Sequence, residues 1–197
     1  MIKSSGVYMR IIYGGAFNPP TKAHYEIAKY VIEQFPGCEF IFMPAGNVYN
    51  KQGLEKDNKR LEMLLLVCKK LDNKATISTF EFEQEKFCGT YCTMEQFQGA
   101  YFLMGADNLA EIEKWIKYPD VVYQNQFIIM PREDYDIEAI IESNEVLKKT
   151  RNHFIILNEF DKIYISSTAY RLSKDDSLLL EEVADYIKAN QLYQEEN

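Results

Sequence analysis
The chain has 197 residues, 47% of them hydrophobic and 26% charged, and a formal net charge of −8. This is length enough for one substantial core. The acidic balance excludes broad nucleic-acid binding and a basic membrane-docking surface. No apolar leader opens the sequence and no apolar run is long enough to span a bilayer, so the expectation is one cytoplasmic domain over 1–197, with no membrane or nucleic-acid partner.

In chain order, Met9, Ile11 and Tyr13 alternate with Arg10 and Ile12, which predicts a strand ending at Gly14-Gly15. Asn18-Pro19-Pro20 forces an extended turn, because a residue before proline is pushed out of the helical region. Thr21 then caps a helix that runs to the stop at Phe35-Pro36-Gly37. Free N–H groups at that helix start suit a phosphate, and His24 in its first turn can reach the same anion. Residues 39–43 read as a strand and 45–58 as a polar loop after it, the position where open α/β sheets bind ligands. A helix carries Arg60, Leu61, Met63, Leu64 and Val67.

Residues 75–80 are predicted as a strand, 81–89 as an acidic loop and 91–97 as a short helix. A strand over 99–104 leads to Gly105-Ala106-Asp107-Asn108, where Asp107 or Asn108 caps a helix bearing Leu109, Ile112, Ile116 and the only tryptophan, Trp115. Further strands are expected at 127–130 and 154–157, with a helix over 137–149 between them. Residues 163–165 are extended. Ser166-Ser167-Thr168 opens a helix with Arg171 one turn in, which makes a second anion site. An amphipathic helix over 178–192 follows, giving a small C-terminal helical part from about residue 166. The alternation predicts the α/β class: a Rossmann-like, doubly wound, mostly parallel sheet. Cys38, Cys68, Cys88 and Cys92 accompany only two histidines, His24 and His153. Zinc is therefore not expected, and although Cys88 and Cys92 can approach each other, all four are read as reduced thiols.

The segment from Gly14 to His24, Gly-Gly-Ala-Phe-Asn-Pro-Pro-Thr-Lys-Ala-His, resembles the (H/T)xGH signature of the nucleotidyltransferase superfamily. It is most similar to that of the nicotinamide/nicotinate mononucleotide adenylyltransferases. Thr21 stands where many members have a first histidine, and Ala23 where many have glycine. Ile165 to Arg171 resembles the family's I-S-S-T-x-x-R motif, and Gly105-Ala106-Asp107 its G-x-D segment. Residues 47–54 with Arg60 to Met63 look like its mononucleotide loop and R-x-x-M helix. Tyr186-Ile187 and Leu192-Tyr193 resemble its ending.

The resemblance implies transfer of AMP from ATP to a pyridine mononucleotide, giving a dinucleotide and pyrophosphate. His24 and Arg171 would be catalytic. ATP would meet Gly14, Gly15, Ala16, Phe17, Thr21, Lys22, Gly105, Asp107, Ile165, Ser166, Ser167 and Thr168. The mononucleotide would meet Asn47, Tyr49, Lys51, Arg60, Thr93 and Trp115. Trp115 either stacks on the pyridine or packs in the core. Mg²⁺ is implied with ATP, its ligands mostly phosphate oxygens, with no dedicated protein cage. A phosphopantetheine-type adenylyltransferase and a non-catalytic nucleotide binder are the alternatives. The choice of nicotinate or nicotinamide, and homo-oligomerisation, stay open.

Overall fold
The computed structural model describes residues 9–46, 53–132, 135–161 and 163–194. Strand β1 (Arg10–Gly15) is followed by helix α1 (Lys22–Gln34), β2 (Glu39–Pro44), α2 (Asp57–Lys70) and β3 (Ala75–Ile77). Next come α3 (Gly89–Gln96), β4 (Tyr101–Gly105), α4 (Ala106–Ala110), α5 (Asp120–Tyr123) and β5 (Gln126–Met130). The chain continues through α6 (Ile137–Ser143), α7 (Glu145–Lys149), β6 (Phe154–Ile156), α8 (Ser167–Ser173) and α9 (Glu181–Ala189).

The strands form one six-stranded sheet in the order β3-β2-β1-β4-β5-β6, and every pairing is parallel. This is the doubly wound arrangement, with its reversal between β1 and β4. The strands are apolar on both faces, as a parallel sheet covered by helices requires. Ile11 and Tyr13 join Phe40, Phe42, Leu103 and Ile128 in a core completed by residues of α1, α2, α8 and α9. Their neighbour Ile12 points the other way, into a core with Phe102, Met104, Phe127 and Ile129 under α3 to α7.

Four local expectations are corrected. The strand expected over 75–80 ends at Ile77, and Phe80–Glu83 winds into a 3₁₀ turn. The single helix expected through Ile116 stops at Ala110. It gives way to a 3₁₀ turn at Ile112–Lys114, and the chain then extends at Trp115, which lies edge-on to Phe102 and Phe127. The helix expected over 137–149 breaks at Asn144, whose side-chain oxygen accepts the N–H groups of Val146 at 2.9 Å and Leu147 at 3.1 Å. This local bond competes with helix continuation. Finally, Cys88 and Cys92, expected as reduced thiols, are joined as a disulfide with Cα atoms 5.8 Å apart. Cys88 is the N-cap of α3 and Cys92 sits one turn in, and that spacing makes them neighbours.

Candidate active site
Where the sheet order reverses, the carboxyl ends of β1 and β4 part, and the crevice beyond them is a cleft of about 610 Å³. Its walls come from Gly14–Asn18 and His24, from Gly105 at the end of β4 and Asp107 beyond it, from Arg132 after β5, and from Ser166–Thr168 with Arg171. Gly89 and Thr90 of α3, Glu81 and Trp115 close the far side.

The geometry at α1 follows from its cap. The Thr21 N–H donates to His24 Nδ1 at 2.9 Å, and Thr21 Oγ1 lies 2.8 Å from the same nitrogen. An Nδ1 that accepts from the backbone carries no proton, so the neutral ring bears its hydrogen on Nε2. His24 lines the cleft, which makes Nε2–H a donor for a ligand there. Phe17 and Tyr13 flank the ring, with centroids 5.0 and 6.1 Å away. Burial, aided by the positive charge of Arg132, pushes the His24 pKa from 6.5 down to about 4. Two glycines in this wall leave room that a side chain would take, Gly14 beside a ring and Gly105 beside a movable carboxylate. A Cβ on Gly14 would lie 2.5 Å from the Phe102 ring, and one on Gly105 would lie 2.3 Å from Asp107 Oδ1.

Helix α8 is tied to the turn after β1. Ser166 Oγ caps the helix by accepting the Ala169 N–H at 3.1 Å. Ser167 Oγ donates to the Pro19 carbonyl at 2.8 Å. Arg171 donates through Nη1 to the Asn18 carbonyl at 2.6 Å and through Nη2 to Thr168 Oγ1 at 3.1 Å. His24 and Arg171, distant in sequence, thus line one cavity with Gly14, Gly15, Ala16, Phe17, Gly105, Asp107, Ile165, Ser166, Ser167, Thr168 and Trp115. Trp115 forms part of the wall and also packs edge-on against Phe102, with centroids 5.8 Å apart.

Other expected contacts fall elsewhere. Arg60 is fully buried and is not positioned to meet a mononucleotide. Its guanidinium donates to the carbonyls of Glu55 at 3.0 Å, Ala16 at 2.8 Å and Ala45 at 2.7 Å, and pairs with Asp57. Thr93 is 1% exposed and donates its hydroxyl to Glu81 at 2.7 Å. Burial pushes the Glu81 carboxyl above the usual carboxylate range, against the opposing effects of that bond and of Arg60. Thr21 is 0% exposed, so it orients His24 rather than touching a triphosphate. Lys22 turns outward, its ammonium donating to the Ser177 carbonyl at 2.7 Å. Asn47, Tyr49 and Lys51 lie outside the described residues.

Two residues of the site escaped the sequence reading. Arg132 lines the cleft 3.4 Å from the Asp107 carboxylate. The available signal was a cation two residues past a buried parallel strand, at the sheet edge where ligands bind. Asn18 was read only as a turn former, yet it is 3% exposed and heavily bonded. The carboxylates facing the cleft are Glu81 and Asp107, and no group of three metal-ligating side chains occurs among the described residues. That donor set does not fit a protein-held Mg²⁺ cage.

A Rossmann-like parallel sheet with two helix starts meeting over its switch point is a fold that suits a nucleotide-binding protein. The cytidylyltransferase-like family model matches residues 12–173, and the chain belongs to that family. Named relatives narrow the placement. A protein named probable nicotinate-nucleotide adenylyltransferase from Clostridium acetobutylicum is 32% identical over 198 residues, covering 93% of this chain and 98% of its own. One of the same name from Acholeplasma laidlawii is 30% identical over 194 residues, covering 95% and 98%. The chain falls in this nicotinate-nucleotide adenylyltransferase branch. The solved structure of Plasmodium falciparum nicotinic acid mononucleotide adenylyltransferase, complexed with NaAD, shares the fold. Its TM-score is 0.75 at 20% identity, over 95% of this chain and 98% of that one. No helix among the described residues is long and apolar enough to cross a membrane.

Proposed function
We propose that this chain joins ATP to nicotinate mononucleotide, releasing pyrophosphate and forming the dinucleotide. The observation that carries this reading is the convergence of His24 and Arg171 on one cleft at the sheet's switch point. The names of the relatives favour nicotinate over nicotinamide, and the fold neighbour has been captured with NaAD and, separately, with APC.

The mononucleotide phosphate attacks the α-phosphorus of ATP in line, the bond to the β-phosphate oxygen breaks, and pyrophosphate leaves. The substrate supplies the nucleophile, so the protein's work is positioning and charge stabilisation. The His24 Nε2–H donates to oxygens whose charge grows in the transition state. Arg171, Ser166 and Thr168 hold the departing phosphates. Asp107 accepts from the ribose hydroxyls of the adenosine, and Trp115 forms the wall for the pyridine ring. Mg²⁺ would enter on the triphosphate and neutralise part of its charge.

The test is pyrophosphate release with ATP and, in turn, nicotinate mononucleotide, nicotinamide mononucleotide and phosphopantetheine. Mg²⁺-dependent turnover that is fastest with nicotinate mononucleotide is expected. ATP binding without turnover on either pyridine substrate would make the chain a binder, and turnover on phosphopantetheine alone would move it to another branch.

A further inference from the structure
Asn18 lines the cleft, and its bonds reach far along the chain. Its Oδ1 accepts the Glu55 N–H at 3.0 Å and the Tyr193 O–H at 2.9 Å. Its Nδ2 donates to the Gly53 carbonyl at 2.9 Å, and its own carbonyl accepts from Arg171 Nη1 at 2.6 Å. The partners lie 35, 37, 153 and 175 residues away. We propose that Asn18 is a positioning residue for the transfer: it fixes Arg171 and the segment entering α2 in one mutual geometry, without touching the reacting atoms. This inference rests on the adenylyl-transfer reading above.

The chemistry at Asn18 is specific to a carboxamide. Glu55 and Tyr193 each require an acceptor, which uses both lone-pair directions of Oδ1, while the Gly53 carbonyl requires a donor. A carboxylate serves the first two and sets a charge against the third. A leucine of similar size serves none. At 3% exposure, water does not replace the lost partners. Tyr193 extends the brace, since its ring lies edge-on to Tyr170, the residue before Arg171, with centroids 6.0 Å apart. The Asn18 carbonyl limits where the Arg171 guanidinium can lie, and the carboxamide sets where Gly53 and Glu55 sit beside it.

The test compares Asn18→Leu, Asn18→Asp and Tyr193→Phe with Leu147→Ala, a cavity control on the opposite face of the sheet. Steady-state kinetics with ATP and nicotinate mononucleotide are read beside thermal melts and NMR exchange of the Glu55 amide. Asn18→Leu should accelerate Glu55 exchange, lower kcat and raise the KM for ATP, the kinetic effects about tenfold each. Asn18→Asp, which keeps the acceptor for Glu55 and Tyr193 but loses the donor to Gly53, should recover only part of that loss. Tyr193→Phe, which deletes one hydroxyl, should raise the KM for ATP a few-fold and leave Glu55 protected. Leu147→Ala should lower Tm with kinetics unchanged. Wild-type kcat and KM in Asn18→Leu overturn the proposal, as does a loss that Leu147→Ala reproduces at equal Tm. Should Asn18→Leu fail to fold, an unchanged KM for ATP in Tyr193→Phe overturns it instead. If the wild-type chain gives no turnover, the transfer reading fails separately. Calorimetric ATP affinity and Glu55 exchange in the variants then decide the role of Asn18.

Discussion

At the residue scale, the proposed transfer depends on which nitrogen of His24 carries the proton. The Thr21 N–H bond to Nδ1 fixes that choice before any ligand arrives. A donor of this kind acts mainly on the transition state, so His24→Ala should lower kcat by about 10²–10³ and leave the KM for the mononucleotide nearly unchanged. Steady-state kinetics and a thermal melt check this together. The ring's acid–base behaviour is part of the same expectation. With a folded pKa of about 4 against 6.5 unfolded, the unfolded chain binds the extra proton between those values. The contribution of His24 to stability is therefore full above pH 6.5 and falls as pH drops towards 4. NMR titration of the ligand-free protein should place the His24 midpoint near pH 4, and a midpoint near the ordinary histidine value would remove the buried-donor account. The spacing of Thr21 and His24 in the sequence shows that they share a helix start. It does not show which of them faces inward, because both sit within one turn and the difference lies in side-chain packing.

At the scale of elements, the paired helix starts were legible and their supports were not. The glycine turn, the cap and the Ser-Ser-Thr run each announce a helix N-terminus, and strand alternation brings such ends to one edge of a parallel sheet. Arg60 shows where that logic failed. The resemblance of residues 60–63 to an R-x-x-M helix implied a ligand contact, but Arg60 shares its helical face with Met63, Leu64 and Val67, all 0% exposed. That periodicity was available in the sequence. What it could not reveal was that three backbone carbonyls from separate segments would converge on the guanidinium. Arg60→Met should therefore destabilise the fold by about 3 kcal/mol or more, because the buried acceptors lose their donors. Urea unfolding measures this. If the loss lies instead in the KM for the mononucleotide, with stability intact, the ligand-contact reading returns. The helix break at Asn144 was hidden for a similar reason: it depends on a local side-chain bond that apolar spacing does not encode.

At the scale of the molecule, the alternation of strand-like and helical stretches sufficed for the α/β class, whereas the strand order depends on the edge to which each crossover returns and is seen only in the structure. An acidic chain that binds anions needs its cations concentrated, and here Arg132 and Arg171 face the cleft while the net charge is −8. Helix α9 belongs to the same body as the sheet. Val183, Ala184 and Ile187 enter the core with α2, Lys70 pairs with Glu182 at 2.9 Å, and Lys59 donates to Asn190 at 2.8 Å. A chain stopped after Lys174 should lose cooperative thermal unfolding and ATP binding, as seen by circular dichroism and calorimetry. An unchanged melt would make α9 an appendage.

The bonds from Asn18 to Arg171 and Tyr193 also set the order in which the site can come into being. Synthesis delivers the first motif early and its partners last. While a ribosome is still adding the final helices, the turn after β1 has emerged with neither its arginine nor its tyrosine. The full set of bonds at Asn18 is therefore available only once residues 171 and 193 have both emerged. Products terminated before residue 171 would hold the glycine turn and His24 without the guanidinium that bonds the Asn18 carbonyl.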